Sequence, residues 1–223
     1  MIIKHPKKEN IPALTHLWAD SFGDPESFIA KFFRTGYAPE RSLLAEENGQ
    51  LLAALYWFDC LWEGKKVAYL YAIATDSAFR GKGICTALMQ HAHQHLQTCG
   101  YAGALLVPAD EALERFYSKM GYRQLPLSQV PQLQTPTASE KITPAEYLHL
   151  REQFLPKGGV QHTAAAMEYL STFACFYRND AGISCGDPTY PLEYLPGYPG
   201  DPAMYLPLNG DPELPAYFAL CLS

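Results

Sequence analysis

The stretch Arg80-Gly81-Lys82-Gly83-Ile84-Cys85 lies between a predicted strand that ends at Ala74 and a predicted helix that continues to about Thr98. The first turn of a helix presents several backbone N–H groups without partners at the positive end of its dipole. Glycines let the chain curl so that these donors converge, and they let an anion approach the backbone closely. The stretch therefore predicts an anion-binding turn, and we expect the anion to be a pyrophosphate.

Two other phosphate-binding motifs do not fit this turn. A Walker-type loop has Lys followed by Ser or Thr after its last glycine, whereas Ile84 and Cys85 follow Gly83. The dinucleotide-binding fingerprint needs a third glycine and an acidic residue about 20 positions later, and this chain has neither. A structural turn with two glycines and no ligand is the alternative interpretation of the same residues.

The turn resembles the acyl-CoA-binding turn of the GNAT superfamily of N-acetyltransferases, whose pattern is Gln/Arg-x-x-Gly-x-Gly/Ala. Cys85 departs from that pattern at its last position. A second segment, Phe116-Tyr117-Ser118-Lys119-Met120-Gly121-Tyr122, is similar to the Phe-Tyr-x-Lys-x-Gly-Phe/Tyr segment of the same family. Ala109 stands where many members have Asn, so we expect no pantetheine contact from that side chain.

The resemblance covers residues 1–124 and implies an α/β (α+β) fold with a mixed, mostly antiparallel central sheet flanked by helices. The short apolar run from Ala102 to Val107 is typical of a buried parallel strand in such a sheet. Residues 125–223 are predicted to form a smaller α+β C-terminal extension that packs on the GNAT domain and shapes the acceptor side.

Within that extension, Thr143-Pro144-Ala145-Glu146 predicts the start of a helix, with Thr as its cap and Glu reaching back to it. Asp187–Pro215 carries eight of the eighteen prolines, which predicts that this stretch is mostly loop or edge structure. Ala216–Leu222 is predicted as a closing strand. Four tyrosines either wall a ligand pocket or pack this region onto the domain: Tyr190, Tyr194, Tyr198 and Tyr205.

The resemblance also implies which residues bind the acyl donor, acetyl-CoA. Backbone groups of Ile73, Ala74 and Thr75 are expected to pair with pantetheine like an added strand, because the central strands splay apart here. The pyrophosphate is expected to meet the backbone amides of Gly81, Lys82, Gly83, Ile84, Cys85 and Thr86. Arg80 and Lys82 would add positive charge, and a solvated position at the helix entrance is the alternative for Lys82.

Acyl transfer from a thioester to an amine needs an uncharged amine, a stabilised oxyanion and a proton for the departing thiolate. A backbone N–H near Ala74 is expected to stabilise the oxyanion. Tyr117 matches the general acid of the family, and the alternative is that it belongs to the apolar helix stripe beside Phe116. The base is harder to place, and Asp59, near the end of the preceding strand, is the first carboxylate to test.

The net charge of −6 lies in the C-terminal part, because residues 126–223 hold 4 Lys and Arg against 10 Asp and Glu. Such a segment repels phosphate backbones, so we expect no nucleic-acid partner. It favours a cationic amine acceptor, although solubility alone also explains it. With 48% hydrophobic residues the chain has enough apolar material for a packed core, which excludes a disordered protein.

Several absences are also expected. Six scattered cysteines without a Cys-x-x-Cys pair predict free thiols in a reducing cytoplasm. No apolar run approaches the roughly 18 residues that span a membrane, so a cytoplasmic protein with no membrane partner is predicted. His91 and His95 share one helix face, but no clear third ligand completes a metal site, so no metal is expected.

The predicted function is that of an acetyl-CoA-dependent N-acetyltransferase acting on a primary amine of a small molecule or peptide, by direct attack on the thioester. A non-catalytic protein that senses acyl-CoA on the same fold is the alternative. A third interpretation makes residues 126–223 a partner-binding module fused to the transferase. An exposed sheet edge also makes a homodimer an expectation to test.

Overall fold

The computed structural model describes residues 1–127, 140–187, 190–220 and 222, without the side chains of residues 187, 190 and 191. The α-helices of this described part are α1 (Ile11–Phe22), α2 (Glu26–Lys31), α3 (Ile84–Thr98), α4 (Glu111–Lys119), α5 (Pro144–Phe154) and α6 (Ala164–Leu170). Its strands are β1 (Ile2–Lys4), β2 (Ser42–Glu47), β3 (Gln50–Trp62), β4 (Lys65–Thr75), β5 (Gly103–Leu106), β6 (Arg123–Gln124), β7 (Glu140–Ile142), β8 (Gln161–His162), β9 (Cys175–Asn179), β10 (Gly182–Asp187), β11 (Tyr190–Leu195) and β12 (Met204–Pro207).

These strands form two sheets. The central sheet has the order β1-β2-β3-β4-β5-β12-β6, with β8 paired against β3, and the second sheet has the order β11-β10-β9-β7. Among the described strands, β4 and β5 pair in parallel and all other pairs are antiparallel. The prediction of a mixed, mostly antiparallel central sheet flanked by helices is confirmed.

The central sheet is buried on both faces, which explains the nearly continuous apolar sequence of β3. Successive side chains of a strand point to opposite faces. Leu55 and Trp57 accordingly belong to the core under α3, whereas Tyr56 and Phe58 belong to the core under α1 and α2.

An aromatic cluster fills the second of these cores, with Phe32 at its centre. The ring of Phe32 lies 4.9 Å from that of Trp18, 5.0 Å from that of Tyr56 and 5.5 Å from that of Tyr169, measured between centroids. The rings meet in tilted or edge-on arrangements, which their quadrupoles favour. Because Tyr169 belongs to α6, this core joins residues from both sides of the predicted domain boundary.

Strand β12 lies inside the central sheet, between β5 and β6, with Met204 opposite both Leu106 and Gln124. Asp187–Pro215 is expected to be mostly loop or edge structure, and Met204–Pro207 is the part of its described residues that forms an internal strand instead. Proline has no backbone N–H to donate to a neighbouring strand. Pro207 is tolerated because β12 is no longer paired with β6 at this position, so the strand needs fewer N–H donors there. Gly103 leaves room for the ring of Tyr205, since an added Cβ would clash with Tyr205 Cζ.

The predicted closing strand over Ala216–Leu222 is wrong for the residues described, which are 216–220 and 222. Tyr217 makes one isolated bridge to Gly159. The backbone of this segment bonds to loop backbone and to side chains. The Tyr217 carbonyl accepts from the Val160 N–H at 2.8 Å, and the Phe218 carbonyl accepts from the Asp201 N–H at 2.7 Å. The ring Nε2 of His162 lies 2.8 Å from the Ala219 carbonyl oxygen, and the Tyr71 hydroxyl donates to the Leu222 carbonyl at 2.9 Å.

The four tyrosines of the proline-rich region do not share one environment. Tyr205 is buried, with its ring 5.6 Å from that of Trp62, so it packs in the core. The rings of Tyr194 and Tyr198 lie 5.5 Å apart. The side chain of Tyr190 lies outside the described residues.

The described cysteines are free: Cys60, Cys85, Cys99, Cys175 and Cys185. Cys221 lies outside the described residues. No group of three or more His, Cys, Asp or Glu side chains within the described part is placed to hold a metal ion. No helix in that part combines the length and the apolar character that crossing a membrane requires.

A buried ion pair ties the C-terminal elements together. Arg151 binds Glu193 through two hydrogen bonds of 2.8 and 2.9 Å, and both side chains are fully buried. The hydroxyls of Tyr147 and Tyr217 donate to the same carboxylate at 2.7 and 3.2 Å. Burial alone would raise the pKa of Glu193, but the charge and hydrogen bonds of Arg151 outweigh it and hold that pKa below its ordinary value.

We expect Glu193→Gln to lower the free energy of unfolding by about 3–5 kcal/mol, because it leaves the Arg151 guanidinium buried without a counter-charge. Urea denaturation followed by circular dichroism measures the loss. Glu140→Gln is the matched control, since Glu140 accepts from Arg178 at the same 2.8 Å but the two side chains are 65% and 49% exposed. The urea midpoint of Glu140→Gln should hardly differ from that of the unmodified protein. Equal losses of unfolding free energy in the two variants would contradict the prediction.

Candidate active site

The site begins where β4 and β5 separate. Their parallel pairing runs from Val67 opposite Gly103 to Tyr69 opposite Leu105. Beyond that point β4 continues to Thr75, whereas β5 ends at Leu106. Two neighbouring strands that part in this way leave backbone groups without ladder partners.

A bulge in β4 follows shortly after the last residue that pairs with β5. The pairing with β3 shifts between Ala54 opposite Ala74 and Tyr56 opposite Tyr71, so Ala72 and Ile73 together face a single residue. Ala72 has a φ of 47°, in the left-handed region that costs energy for any residue with a Cβ. Bulges of this kind redirect backbone and side-chain groups out of a regular ladder.

The glycine turn follows β4 and leads into α3. Gly81 and Gly83 have φ values of 74° and 79°, so both need the freedom of glycine. The first hydrogen bond of α3 runs from the Ala87 N–H to the Gly83 carbonyl at 3.0 Å, and no side chain caps the helix. The N–H groups of Ile84 and its two successors therefore have no partner within the helix, as an anion site requires.

A cleft of about 840 Å³, which we call the donor cleft, runs along this turn. Nine of the ten residues predicted to bind the acyl donor line it: Ile73, Ala74, Thr75, Arg80, Gly81, Gly83, Ile84, Cys85 and Thr86. Arg80 also donates from Nε to the Thr75 carbonyl at 3.1 Å. Lys82 does not line the cleft, because its ammonium donates to the Ala78 carbonyl at 3.1 Å and lies over the ring of Phe79. The binding roles of all ten residues stay predictions.

A second cavity of about 360 Å³, which we call the acceptor cavity, continues from the donor cleft towards α1 and α2. The two spaces share one wall, formed by Phe22, Ile73, Ala109, Leu113 and Tyr117. A group bound along the turn and a second group bound near α1 would therefore meet at this wall.

Tyr117 reaches the shared wall from α4. The Asp110 carboxylate caps that helix by accepting from the Leu113 N–H at 2.8 Å, which sets where its turns begin. Tyr117 is 6% exposed, and burial, with a smaller contribution from Cys85, raises the pKa of its phenol. The phenol is therefore protonated at neutral pH and is able to donate a proton. Burial likewise raises the pKa of the Cys85 thiol, which keeps the turn free of a thiolate.

Asp59 lies in a different environment. It accepts from the Tyr101 hydroxyl at 2.5 Å, and Lys66 and Arg41 lie 3.6 and 3.9 Å from its carboxylate oxygens. Asp59 lines neither the donor cleft nor the acceptor cavity. The structure does not bring it together with Tyr117, and its role as the base stays a prediction without support from its position.

Sequence reasoning did not predict the residues that line this second cavity. The acceptor cavity is lined by Trp18, Phe22, Asp24 and Phe28 from the α1–α2 region and by Tyr69 and Tyr71 from β4. The only sequence signal at Asp24 was its place between Gly23 and Pro25, which marks a helix break. That signal describes the local backbone and says nothing about which cavity the side chain lines.

The Tyr71 hydroxyl connects this cavity with the C-terminal elements. It lies 3.1 Å from the Tyr169 hydroxyl of α6 and donates to the Leu222 carbonyl at 2.9 Å. The Leu222 N–H in turn donates to the Tyr69 hydroxyl oxygen at 3.3 Å. Residues from beyond position 125 therefore hold two tyrosines of the acceptor cavity.

A family model described as an acetyltransferase (GNAT) domain matches residues 2–125, which is more than half of the chain. The chain belongs to the GNAT acetyltransferase family. The recognition made from the glycine turn and the Phe-Tyr segment is thereby confirmed. A search among curated proteins found no match.

Solved structures with the GNAT fold resemble the chain over most of its length. One is a GCN5-related N-acetyltransferase from Anabaena variabilis, with 21% identity, a TM-score of 0.60, and coverage of 86% of this chain and 53% of that one. Another, from Kribbella flavida, has 15% identity, a TM-score of 0.63, and coverage of 87% and 56%. The chain thus spans about half the length of these proteins, and at this identity the likeness shows the fold.

We expect Gly83→Ala to raise the Kd for coenzyme A at least tenfold, because a methyl group would intrude where the anion approaches the backbone. The substitution also strains the left-handed backbone by about 1–2 kcal/mol. Isothermal titration calorimetry measures the Kd.

Gly100→Ala is the matched control at the other end of α3. Gly100 has the same φ of 79°, and neither glycine has an atom within 4 Å of an added Cβ. Gly100→Ala should lose as much free energy of unfolding as Gly83→Ala and keep the Kd of the unmodified protein for coenzyme A. A Kd that changes equally in both variants would show that backbone strain, and not the turn, governs binding.

Proposed function

We propose that the protein is an N-acyltransferase that moves an acetyl group from acetyl-CoA to a primary amine by direct attack on the thioester. The observation that carries this proposal is the shared wall, where Tyr117 and Ile73 line both the donor cleft and the acceptor cavity. A donor and an acceptor held in two spaces that meet at a proton-donating phenol suit a direct transfer without a covalent enzyme intermediate.

In this proposal the backbone holds the donor. The unpaired N–H groups at the start of α3 bind the pyrophosphate, and Arg80 adds positive charge at the edge of the cleft. Pantetheine pairs with the backbone of Ile73–Thr75, which β5 leaves unpaired beyond Leu106. Lys82 would have to leave the Ala78 carbonyl to reach a phosphate, so we give it no role in the resting structure.

The chemistry follows from groups at the shared wall. The neutral amine attacks the thioester carbon, and a backbone N–H of the β4 bulge near Ala74 stabilises the oxyanion that forms. When the tetrahedral intermediate collapses, the C–S bond breaks and the thiolate of coenzyme A takes the proton of Tyr117. The nitrogen loses one proton as the amide forms, and solvent restores the proton of Tyr117.

Residues 125–223 complete the acceptor side in this proposal. Support comes from Tyr169 and Leu222, which hold the hydroxyl of Tyr71 in the acceptor cavity. Strand β12 also pairs with β5, the strand whose end forms the opening. A truncation after Gln124 would remove this strand from the middle of the central sheet, so the extension acts as part of the enzyme and not as a detachable module.

The proposed function predicts that purified protein consumes acetyl-CoA and releases free thiol only when an amine is present. We expect Tyr117→Phe to lower kcat about 100-fold with little change in the KM for acetyl-CoA, because the departing thiolate loses its proton donor. Thiol release, measured with a chromogenic disulfide reagent, gives both parameters.

Tyr122→Phe is the control for this variant. Tyr122 is buried, lies 2.8 Å from His93 Nε2 through its hydroxyl and lines neither cavity. The control should lose about 1 kcal/mol of stability and keep its kcat. Binding of coenzyme A without thiol release against any amine would instead favour a sensor of acyl-CoA, and an unchanged kcat in Tyr117→Phe would leave Tyr117 as a packing residue.

A further inference from the structure

Of the described residues that line the acceptor cavity, Asp24 is the only Asp or Glu, and none is Lys, Arg or His. The other polar side chains of the set are the phenols of Tyr69, Tyr71 and Tyr117. The acidic side chains described beyond position 125, a region whose charge first suggested a cationic acceptor, do not line this cavity. Asp24, from the N-terminal part of the chain, is therefore the charged side chain among the described lining residues.

The carboxylate of Asp24 is held in place. It follows Gly23, where α1 ends, and the Trp18 indole N–H donates to its Oδ2 at 2.8 Å. Its other oxygen, Oδ1, receives no hydrogen bond from the residues that the structure describes. A carboxylate that is positioned by one donor and has an oxygen to spare is suited to bind a ligand cation through a charge-assisted hydrogen bond.

Aromatic rings line the same cavity as this carboxylate. Trp18, Phe22 and Phe28 line the same cavity, and the faces of such rings attract cations and flat apolar groups alike. The volume of about 360 Å³ lies at the lower end of the range for small-molecule sites, about 300–1,000 Å³. The cavity thus suits a compact ligand with an apolar middle better than an extended peptide.

We propose that Asp24 is the residue that selects the acceptor, and that the acceptor is a compact diamine with a ring-sized apolar spacer. This inference rests on the proposed acyl transfer. The attacking nitrogen must be neutral at the shared wall beside Tyr117, so the cation that Asp24 binds is the second nitrogen of the same molecule. The aromatic rings contact the spacer between the two nitrogens.

Three benzylamines with one skeleton and different charges at the far end test this assignment. They are 1,4-bis(aminomethyl)benzene, 4-methylbenzylamine and 4-(aminomethyl)benzoate, which carry a cation, no charge and an anion. We expect kcat/KM for acetyl transfer to fall in that order, with the diamine at least tenfold above the neutral amine. A charge-assisted hydrogen bond accounts for a factor of about 10 to 100.

Asp24→Asn removes the charge and keeps a carbonyl oxygen for the Trp18 indole. The ratio of kcat/KM between the diamine and 4-methylbenzylamine should fall about 10- to 100-fold in this variant, and Asp24→Glu should restore part of it. Asp20→Asn is the matched control, because Asp20 is also on α1, is 65% exposed and does not line the acceptor cavity. The ratio of kcat/KM between the two amines in Asp20→Asn should equal that of the unmodified protein.

Two results would overturn the assignment while leaving the proposed function intact. One is a kcat/KM of the unmodified protein that is the same for all three amines. The other is an Asp24→Asn variant that loses the same factor with all three amines, which would mean that Asp24 serves the chemical step or the fold. Failure to release thiol with any amine in a wide panel would instead remove the proposed function, and this inference with it.

Discussion

The separation of β4 from β5 is the constraint on which the candidate site depends. Parallel strands that stay paired satisfy each other's backbone, and here the pairing stops at Tyr69 and Leu105 while β4 continues to Thr75. The unpaired edge of β4, its bulge at Ala72 and the glycine turn then follow one another along a short piece of chain. A ligand with its own amide groups is the natural partner for such an edge, because unpaired backbone groups away from water are costly.

This opening is stable because the chain beyond position 125 closes the structure around it. Strand β12 satisfies the outer edge of β5, so that strand is paired along its length even though it parts from β4. The Arg151–Glu193 pair joins α5 to β11, and the carboxylate also holds Tyr217 of the C-terminal segment. A fully buried ion pair is costly unless its hydrogen bonds are complete, and here several neutral groups complete them.

In the proposed function the two spaces serve two kinds of recognition. The donor is bound mainly by backbone groups, so that proposal tolerates a side-chain change such as Cys85 for Gly or Ala. The acceptor meets side chains, with Asp24 among aromatic residues, so its selection would depend on residue identity. Tyr117, from α4, lines both spaces.

The sequence by itself determined the local structure of this protein. The Thr143–Glu146 capping box, the run that became β5 and the helix that starts after Gly83 all depend on residues within a few positions of each other. The tertiary structure decided the rest. It places β12 beside β5, gives the described residues of 216–222 an irregular path, and leaves Asp59 outside both spaces while Asp24 lines the acceptor cavity. These depend on contacts between residues far apart in the chain, and neither hydrophobic periodicity nor turn chemistry carries that information.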